Sequence, residues 1–218
     1  MEKLTDLTVT QFTDVLASNA PAPGGGSVAA LFGACGAALG VMTANLTIGK
    51  KKYADLWENA EAMKTLGTPL IGAFLQAVDE DTLAFNRLMD AMHLPKDTDE
   101  QKAIRREAME NATKDAASMP FHTLTLCEKT VSVLEQLAGK INPNCASDFG
   151  VGAASVQAAA RGAWLNVNIN LQSVSDEAFV KELFDRAKAL YDDVSARAEA
   201  LFARVDESCR PACNQTEG

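Results

Sequence analysis

Between Val15 and Gly49 the chain carries no charged residue, and two stripes interleave there. Gly26, Ala30, Gly33, Ala37, Gly40 and Ala44 follow one another at steps of four and three, and so do Val28, Phe32, Cys35, Leu39, Met42 and Leu46. Such steps keep residues on one face of a helix, which predicts a helix from about Ser27 to Ile48. The small stripe lets another backbone approach closely, and the large stripe is expected to fill a core on the other side. Asp55 to His93 reads as a long amphipathic helix through Trp57, Met63, Leu70, Phe74, Val78, Phe85 and Leu88. Thr98 caps the next, which Pro120 should kink before the pattern resumes through Leu126, Leu134 and Leu137 to a C-cap at Gly139. Ser147 is expected to cap a fifth helix, Asp148 to Leu171, charged only at Asp148 and Arg161, and Asp176 a sixth. Alternation of strand type is almost absent. The fold class is therefore all-α: an antiparallel bundle of about six helices, with the two uncharged helices innermost. Burying both in so short a chain calls for a second copy, so a homodimer is expected.

Composition adjusts this picture little. With 218 residues, 47% of them hydrophobic, the chain can form one packed domain over residues 1–208, followed by a polar tail at 209–218. The net charge of −9 removes nucleic acid from the expected partners, since that needs a basic footprint. Val28 to Ile48 is long enough to span a bilayer, but its Ala and Gly content, its polar Thr43, Asn45 and Thr47, and the lack of an aromatic belt favour a buried core helix. Five cysteines with no C-x-x-C pair, and an N-terminus without an apolar leader, read as free thiols in a cytoplasmic protein. Cys209 and Cys213 stand four apart, yet neither of the two histidines is near them, so no metal site is expected.

Some residues break the pattern. Asp81 occupies a position where the stripe Phe74, Val78, Phe85, Leu88 calls for a hydrophobe. A buried carboxylate needs a partner, for which Arg161 is a candidate, and Asp79 and Glu80 are expected to raise its proton affinity. Gly24-Gly25-Gly26-Ser27 precedes a helix and offers free N–H groups to an anion, although it is neither a Walker loop nor a dinucleotide fingerprint. Asp148, Gly152, Ser155, Gly162, Asn166 and Asn170 trace one face of the fifth helix, which either is satisfied in the core or lines a cavity. Lys50, Lys51, Lys52 and Tyr53 follow the first uncharged helix.

Five motifs then carry a family resemblance. They are Ala20-Pro21-Ala22-Pro23-Gly24-Gly25-Gly26-Ser27-Val28-Ala29-Ala30, Gly49-Lys50-Lys51-Lys52-Tyr53, Asp81-Thr82-Leu83-Ala84-Phe85, Ser147-Asp148-Phe149-Gly150-Val151-Gly152-Ala153 and Asn166-Val167-Asn168-Ile169-Asn170-Leu171. Together, over about Leu7 to Val205, the chain resembles the formimidoyltetrahydrofolate cyclodeaminase and methenyltetrahydrofolate cyclohydrolase family. The resemblance implies an all-helical homodimer binding a tetrahydrofolate substrate near the subunit interface, with no metal or redox cofactor. A formiminotransferase, where needed, would be a separate protein.

On that resemblance the leading expectation is a cyclodeaminase, which releases ammonia from 5-formimidoyltetrahydrofolate to give 5,10-methenyltetrahydrofolate. The alternative is the cyclohydrolase that opens the same bridge to 10-formyltetrahydrofolate, and a third reading is a non-catalytic folate-binding or structural dimer. Asp81 and Asp148 are expected to be the acid/base and electrostatic pair, Asp81 carrying the proton. Lys50, Lys51 and the Pro23–Ser27 segment are the candidates for the substrate's carboxylates. Tyr53, Phe85 and Phe149 are those for the pterin, with Gly152 and Asn166 beside them.

Overall fold

A computed structural model describes residues 3–211, and six α-helices account for most of them. They are α1 (Val9–Leu16), α2 (Gly25–Asn45), α3 (Trp57–Met92), α4 (Asp99–Leu137), α5 (Ala146–Leu171) and α6 (Glu177–Cys209). No strand occurs among the described residues. The expected helix count is met by two offsetting differences. Pro120 does not divide α4, which runs unbroken over 39 residues, and Pro69 is likewise accommodated inside α3. The helix α1 was not expected, because its apolar face is short, at Val9, Phe12 and Leu16. A capping box at Thr8 and Gln11 starts it, and another at Thr98 and Gln101 starts α4.

Other boundaries follow local chemistry. Asp176 accepts the N–H groups of Ala178 and Phe179 at 3.1 Å each and starts α6. Gly139 ends α4 at φ 78°, a left-handed conformation that favours glycine. Ser147 is not the cap of α5. A 3-10 turn at Pro143–Cys145, held by Asn142, leads straight into the helix at Ala146.

The long helices run up and down in sequence, with α2 antiparallel to both α3 and α5. Gly26 meets Asp81 and Gly33 meets Phe74 on α3, while Gly36 meets Gly152 and Val156 and Gly25 meets Asn166 on α5. The small stripe is buried along its whole length, as its spacing predicts. The large stripe is not. Phe32, Met42 and Leu46 are 44%, 37% and 40% exposed, and Cys35 beside them is exposed too. On the adjoining face of α5, Val151, Leu165 and Ile169 are 55%, 66% and 58% exposed. Within one chain, then, α2 and α5 are each buried on one side and bare on the other. By length and composition α2 could cross a membrane, but most of its apolar window is packed inside the bundle.

The absence of side chains on α2 is what lets α5 in. A methyl group at Gly36 would lie 2.9 Å from the Gly152 carbonyl oxygen and 2.7 Å from a Val156 methyl, and the backbone atom cannot turn aside. Gly36→Ala should therefore cost about 1–3 kcal/mol. Gly72→Ala, with no atom near its Cβ on the solvent side of α3, should gain about 0.5–1 kcal/mol. Urea midpoints of the two variants check both signs.

Candidate functional site

The N-terminus of α2 does not stand open to an anion from solution, because Asp81 occupies it. Ser27 Oγ donates to Asp81 Oδ2 at 2.9 Å and also lies 3.2 Å from the Val78 carbonyl and 3.3 Å from Thr82 Oγ1. A carboxylate at a helix start is favourably placed against the positive end of the peptide dipoles. The approach needs Gly26, since a Cβ there would run into the Asp81 carboxylate.

Around this pair lies a cavity of about 260 Å³, lined by Pro21, Ala22 and Gly24 to Gly26, by Asp81, Phe85 and Leu88 of α3, by Ala116 of α4, and by Asn166 and Asn170 of α5. The residues Asp81, Phe85 and Leu88 follow at steps of four and three, which puts a carboxyl and an apolar wall on one helix face. Asn166 and Asn170, one turn apart, use their amide N–H groups on the carbonyls of Gly162 (2.8 Å) and Ala116 (2.7 Å). Their amide oxygens face no donor among the described residues.

Burial raises the pKa of Asp81 above its ordinary value, while hydrogen bonds from the hydroxyl and backbone N–H of Ser27 pull it back down. Burial is the larger effect. The expected causes are not the operative ones: Asp79 turns away to hold the N-terminal 3-10 turn, accepting from Leu4 N at 2.8 Å and Thr5 Oγ1 at 2.8 Å, and Glu80 accepts from Gln76 at 2.5 Å. Arg161, the expected ion partner, is exposed and makes no bridge to Asp81.

The structure divides the sequence-derived candidates. It brings together Gly24, Gly25, Gly26, Ser27, Asp81, Phe85 and Asn166, with Pro23 buried in the strap behind them and joined through a cis peptide to Ala22. Asp148 lies elsewhere. It is 18 residues before Asn166 on the same helix, about 27 Å away at 1.5 Å per residue, so it cannot act with Asp81 inside one chain. At that far end Asp148 and Lys50 both bear on Cys145, whose thiol is pushed up by burial first and by Asp148 second, with Lys50 opposing. Lys51 is exposed and Tyr53 half-buried on the 3-10 segment next to Lys50.

Two candidates are packing residues. Phe149 is 1% exposed and packs in the core, away from the Asp81 cavity, where it lines a separate cavity with Ile141, Leu201 and Val205. Gly152 lies under the Gly36 carbonyl and Leu39, where its role is to admit α2. Sequence reasoning placed Asn170 on a face that could line a cavity without naming it as a site residue, and it missed Leu88, Ala116 and Thr82. Leu88 and Asn170 carry a signal, the helical step from Phe85 and from Asn166, whereas Ala116 is visible only once α4 is placed. Cys35, Cys127, Cys145 and Cys209 are free, and no cluster of metal-binding residues occurs among the described residues. Cys213 and the tail from 212 onward lie outside the described residues.

Residues 8–189 match the family model described as formiminotransferase-cyclodeaminase. The chain belongs to that family. Among curated relatives, a methenyltetrahydrofolate cyclohydrolase of Methylorubrum extorquens is 40% identical over 202 residues, covering 91% of this chain and 95% of the relative. A formimidoyltransferase-cyclodeaminase of Gallus gallus is 34% identical over 90% of this chain, which spans 36% of that larger protein. Among solved structures, a formiminotetrahydrofolate cyclodeaminase of Thermotoga maritima superposes with a TM-score of 0.78 at 30% identity, covering 94% of this chain and 97% of that one. The family supports an enzyme of folate one-carbon chemistry with either activity.

A carboxyl whose pKa is raised on folding stabilises the fold fully below its unfolded value, near 3.8, and that contribution is lost as pH rises through the folded pKa. Asp81→Asn keeps an acceptor for Ser27 but has no charge to bury. Its urea midpoint should therefore exceed that of the wild type near pH 7, and the advantage should vanish near pH 3. A pH series of denaturation curves on the two proteins tests this.

Proposed function

We propose that this protein acts on the carbon that bridges N5 and N10 of tetrahydrofolate, and that its reaction is hydrolysis of 5,10-methenyltetrahydrofolate to 10-formyltetrahydrofolate. The observation that carries the site assignment is Asp81: a partly buried carboxyl of raised proton affinity, facing a cavity with an apolar wall and two amide side chains. Hydrolysis is favoured because the relative of matching length at 40% identity bears that name. Cyclodeamination is the second reading, favoured by the name of the Thermotoga maritima structure, which this chain also matches end to end.

Both reactions suit one carboxylate. In hydrolysis, Asp81 accepts a proton as water adds to the cationic bridge carbon. The C–N5 bond then breaks, N5 takes up a proton, and the formyl group stays on N10, with one proton released overall. In cyclodeamination N10 adds to the formimino carbon, and the protonated amine leaves as ammonia. In each case a negative carboxylate beside the bridge stabilises its positive charge. The carbon keeps its oxidation state, so the chemistry calls for no redox partner, and the carboxyl covers the proton transfers without a metal.

The reading includes a homodimer. The bare faces of α2 and α5 adjoin, run antiparallel and carry one charge, Arg161, between their ends. A two-fold axis through the middle of that face would bring Lys50, Tyr53 and Asp148 of a second copy to the Asp81 end of the first, completing two sites. Lys50 and Lys51 would then meet the substrate's glutamate carboxylates and Tyr53 its ring.

Asp81→Asn should lower turnover by about a hundredfold or more while leaving the dimer folded. Unchanged turnover would remove Asp81 from the mechanism. Following methenyl absorbance with each substrate, and ammonia with the formimidoyl one, separates the two reactions. Mixing Asp81→Asn subunits with Lys50→Ala subunits should recover about a quarter of the wild-type activity, because mixed dimers hold one intact site. No recovery from two inactive parents would refute a shared site.

A further inference from the structure

The Ser27 hydroxyl behind the Asp81 cavity has more acceptors around it than it has hydrogens. Its Oγ lies 2.9 Å from Asp81 Oδ2, 3.2 Å from the Val78 carbonyl oxygen and 3.3 Å from Thr82 Oγ1. A hydroxyl carries one hydrogen and two lone pairs, so it gives to one of these at a time. Ser27 is 0% exposed, and Val78 and Thr82 are buried beside it, so bulk solvent does not replace a partner that is lost.

Each protonation state of Asp81 makes a different use of that hydrogen. A carboxylate only accepts, and Ser27 gives to it across the 2.9 Å contact. A carboxylic acid brings an O–H of its own. Ser27 then turns its hydrogen to the Val78 carbonyl and accepts from Asp81 over the same contact, whose direction reverses while the heavy atoms stay in place. Without that carbonyl, one of the two hydrogens would be stranded in a buried place, at the cost of an unmade bond. Rotation of a hydroxyl about its Cβ–Oγ bond shifts no heavy atom and is fast beside turnover. The backbone N–H of Ser27 also bonds to the carboxyl, so one residue holds it by two donors.

No charged group competes for this role. The strap and the start of α2 line the cavity with Pro21, Ala22 and Gly24 to Gly26, and α5 presents Asn166 and Asn170 to it. On α3, Asp79 is taken by Leu4 and Thr5 and Glu80 by Gln76. Arg87 of α3 lies 3.9 Å from Asp115 of α4, and Arg161 of α5 is exposed.

We propose that Ser27 is a positioning residue whose hydroxyl turns between Asp81 and the Val78 carbonyl as Asp81 loses and gains its proton, so that the carboxyl keeps one geometry in both states. Ser27 acts through Asp81 and does not itself meet the substrate. The catalytic consequence rests on the reading of Asp81 as the proton carrier.

Urea midpoints are first measured across pH for the wild type, Ser27→Ala, Asp81→Asn and the double variant. Loss of the donor raises the proton affinity of a buried carboxyl, so the midpoint advantage of Asp81→Asn near pH 7 should be larger on the Ser27→Ala background than on the wild type. A serine that only fills space would lower both midpoints equally, and an unchanged advantage overturns the proposal. The pH profile of kcat/KM with 5,10-methenyltetrahydrofolate is the second readout. Its acid limb, where Asp81 takes up its proton, should move up by about one unit in Ser27→Ala, a loss of about tenfold at pH values below the limb. Ser27→Thr keeps the hydroxyl and should return the limb to its wild-type position, whereas a limb that stays put in Ser27→Ala overturns the proposal. A wild type inactive on both the methenyl and the formimidoyl folate would sink the folate reading. The stability cycle needs no substrate and would still decide the role of Ser27.

Discussion

The architecture depends on how closely three helices can approach one another. Gly26, Gly33, Gly36 and Gly40 strip α2 of side chains where α3 and α5 cross it, and larger residues on the partners fill the space: Phe74 at Gly33, Val156 at Gly36 and Met63 at Gly40, where Leu134 of α4 also reaches in. Contact of that kind is gained through many small dispersion terms and is lost over a few tenths of an ångström. It also fixes direction. Because Gly26 lies at the start of α2, the same stripe that packs the core delivers Asp81 to the end of that helix.

Asp81 thus stands between two opposing demands. As a tertiary cap for α2 it is stabilised as an anion by Ser27 and by the helix dipole, and as a half-sequestered carboxyl it is stabilised as an acid. A group balanced in this way can hold a proton without holding it permanently, which is what addition to and elimination from a carbon between two nitrogens requires. The nearby apolar wall and amides make no competing claim on its charge, and no basic side chain lines the cavity.

Much of this was legible in the sequence. Steps of four and three gave α2, α3, α5 and α6, and one carboxylate in an apolar stripe pointed to the cavity at the start of α2. What could not be read was position across the bundle. Asp148 looked like a partner for Asp81 because both interrupt apolar helices, yet α2 and α5 run antiparallel, and this sends Asp148 to the far end with Lys50. Phe149 and Gly152 shared a motif with Asp148 and proved to be core, since a motif does not say which side of its helix faces in. The large stripe of α2 was expected to fill a core, and the shortness of the chain already called for a second copy to cover it; which side stays uncovered within one chain, the side of Phe32, Met42 and Leu46, appears only in the structure. Pro120 leaves α4 one continuous helix where the count from the sequence had taken the stretches on either side as two: a proline forbids one hydrogen bond, and a helix packed along its length tolerates the loss.

One turn of α3 does two jobs. Asp79 fastens the N-terminal 3-10 turn at Leu4 and Thr5, and two residues later Asp81 closes the start of α2. Between those fastenings the chain runs through α1 and the strap at 17–24, which supplies Pro21 and Ala22 to the rim of the cavity. The doorway to the site is therefore a loop tied at both ends to the helix turn that bears its carboxylate. Phe12 of that loop is itself a core residue, with Leu4 and Leu7 packed against the same cluster. The rim of the cavity is consequently held by the same contacts that seat α1 on the bundle, so the shape of the opening and the packing of the arm are set together.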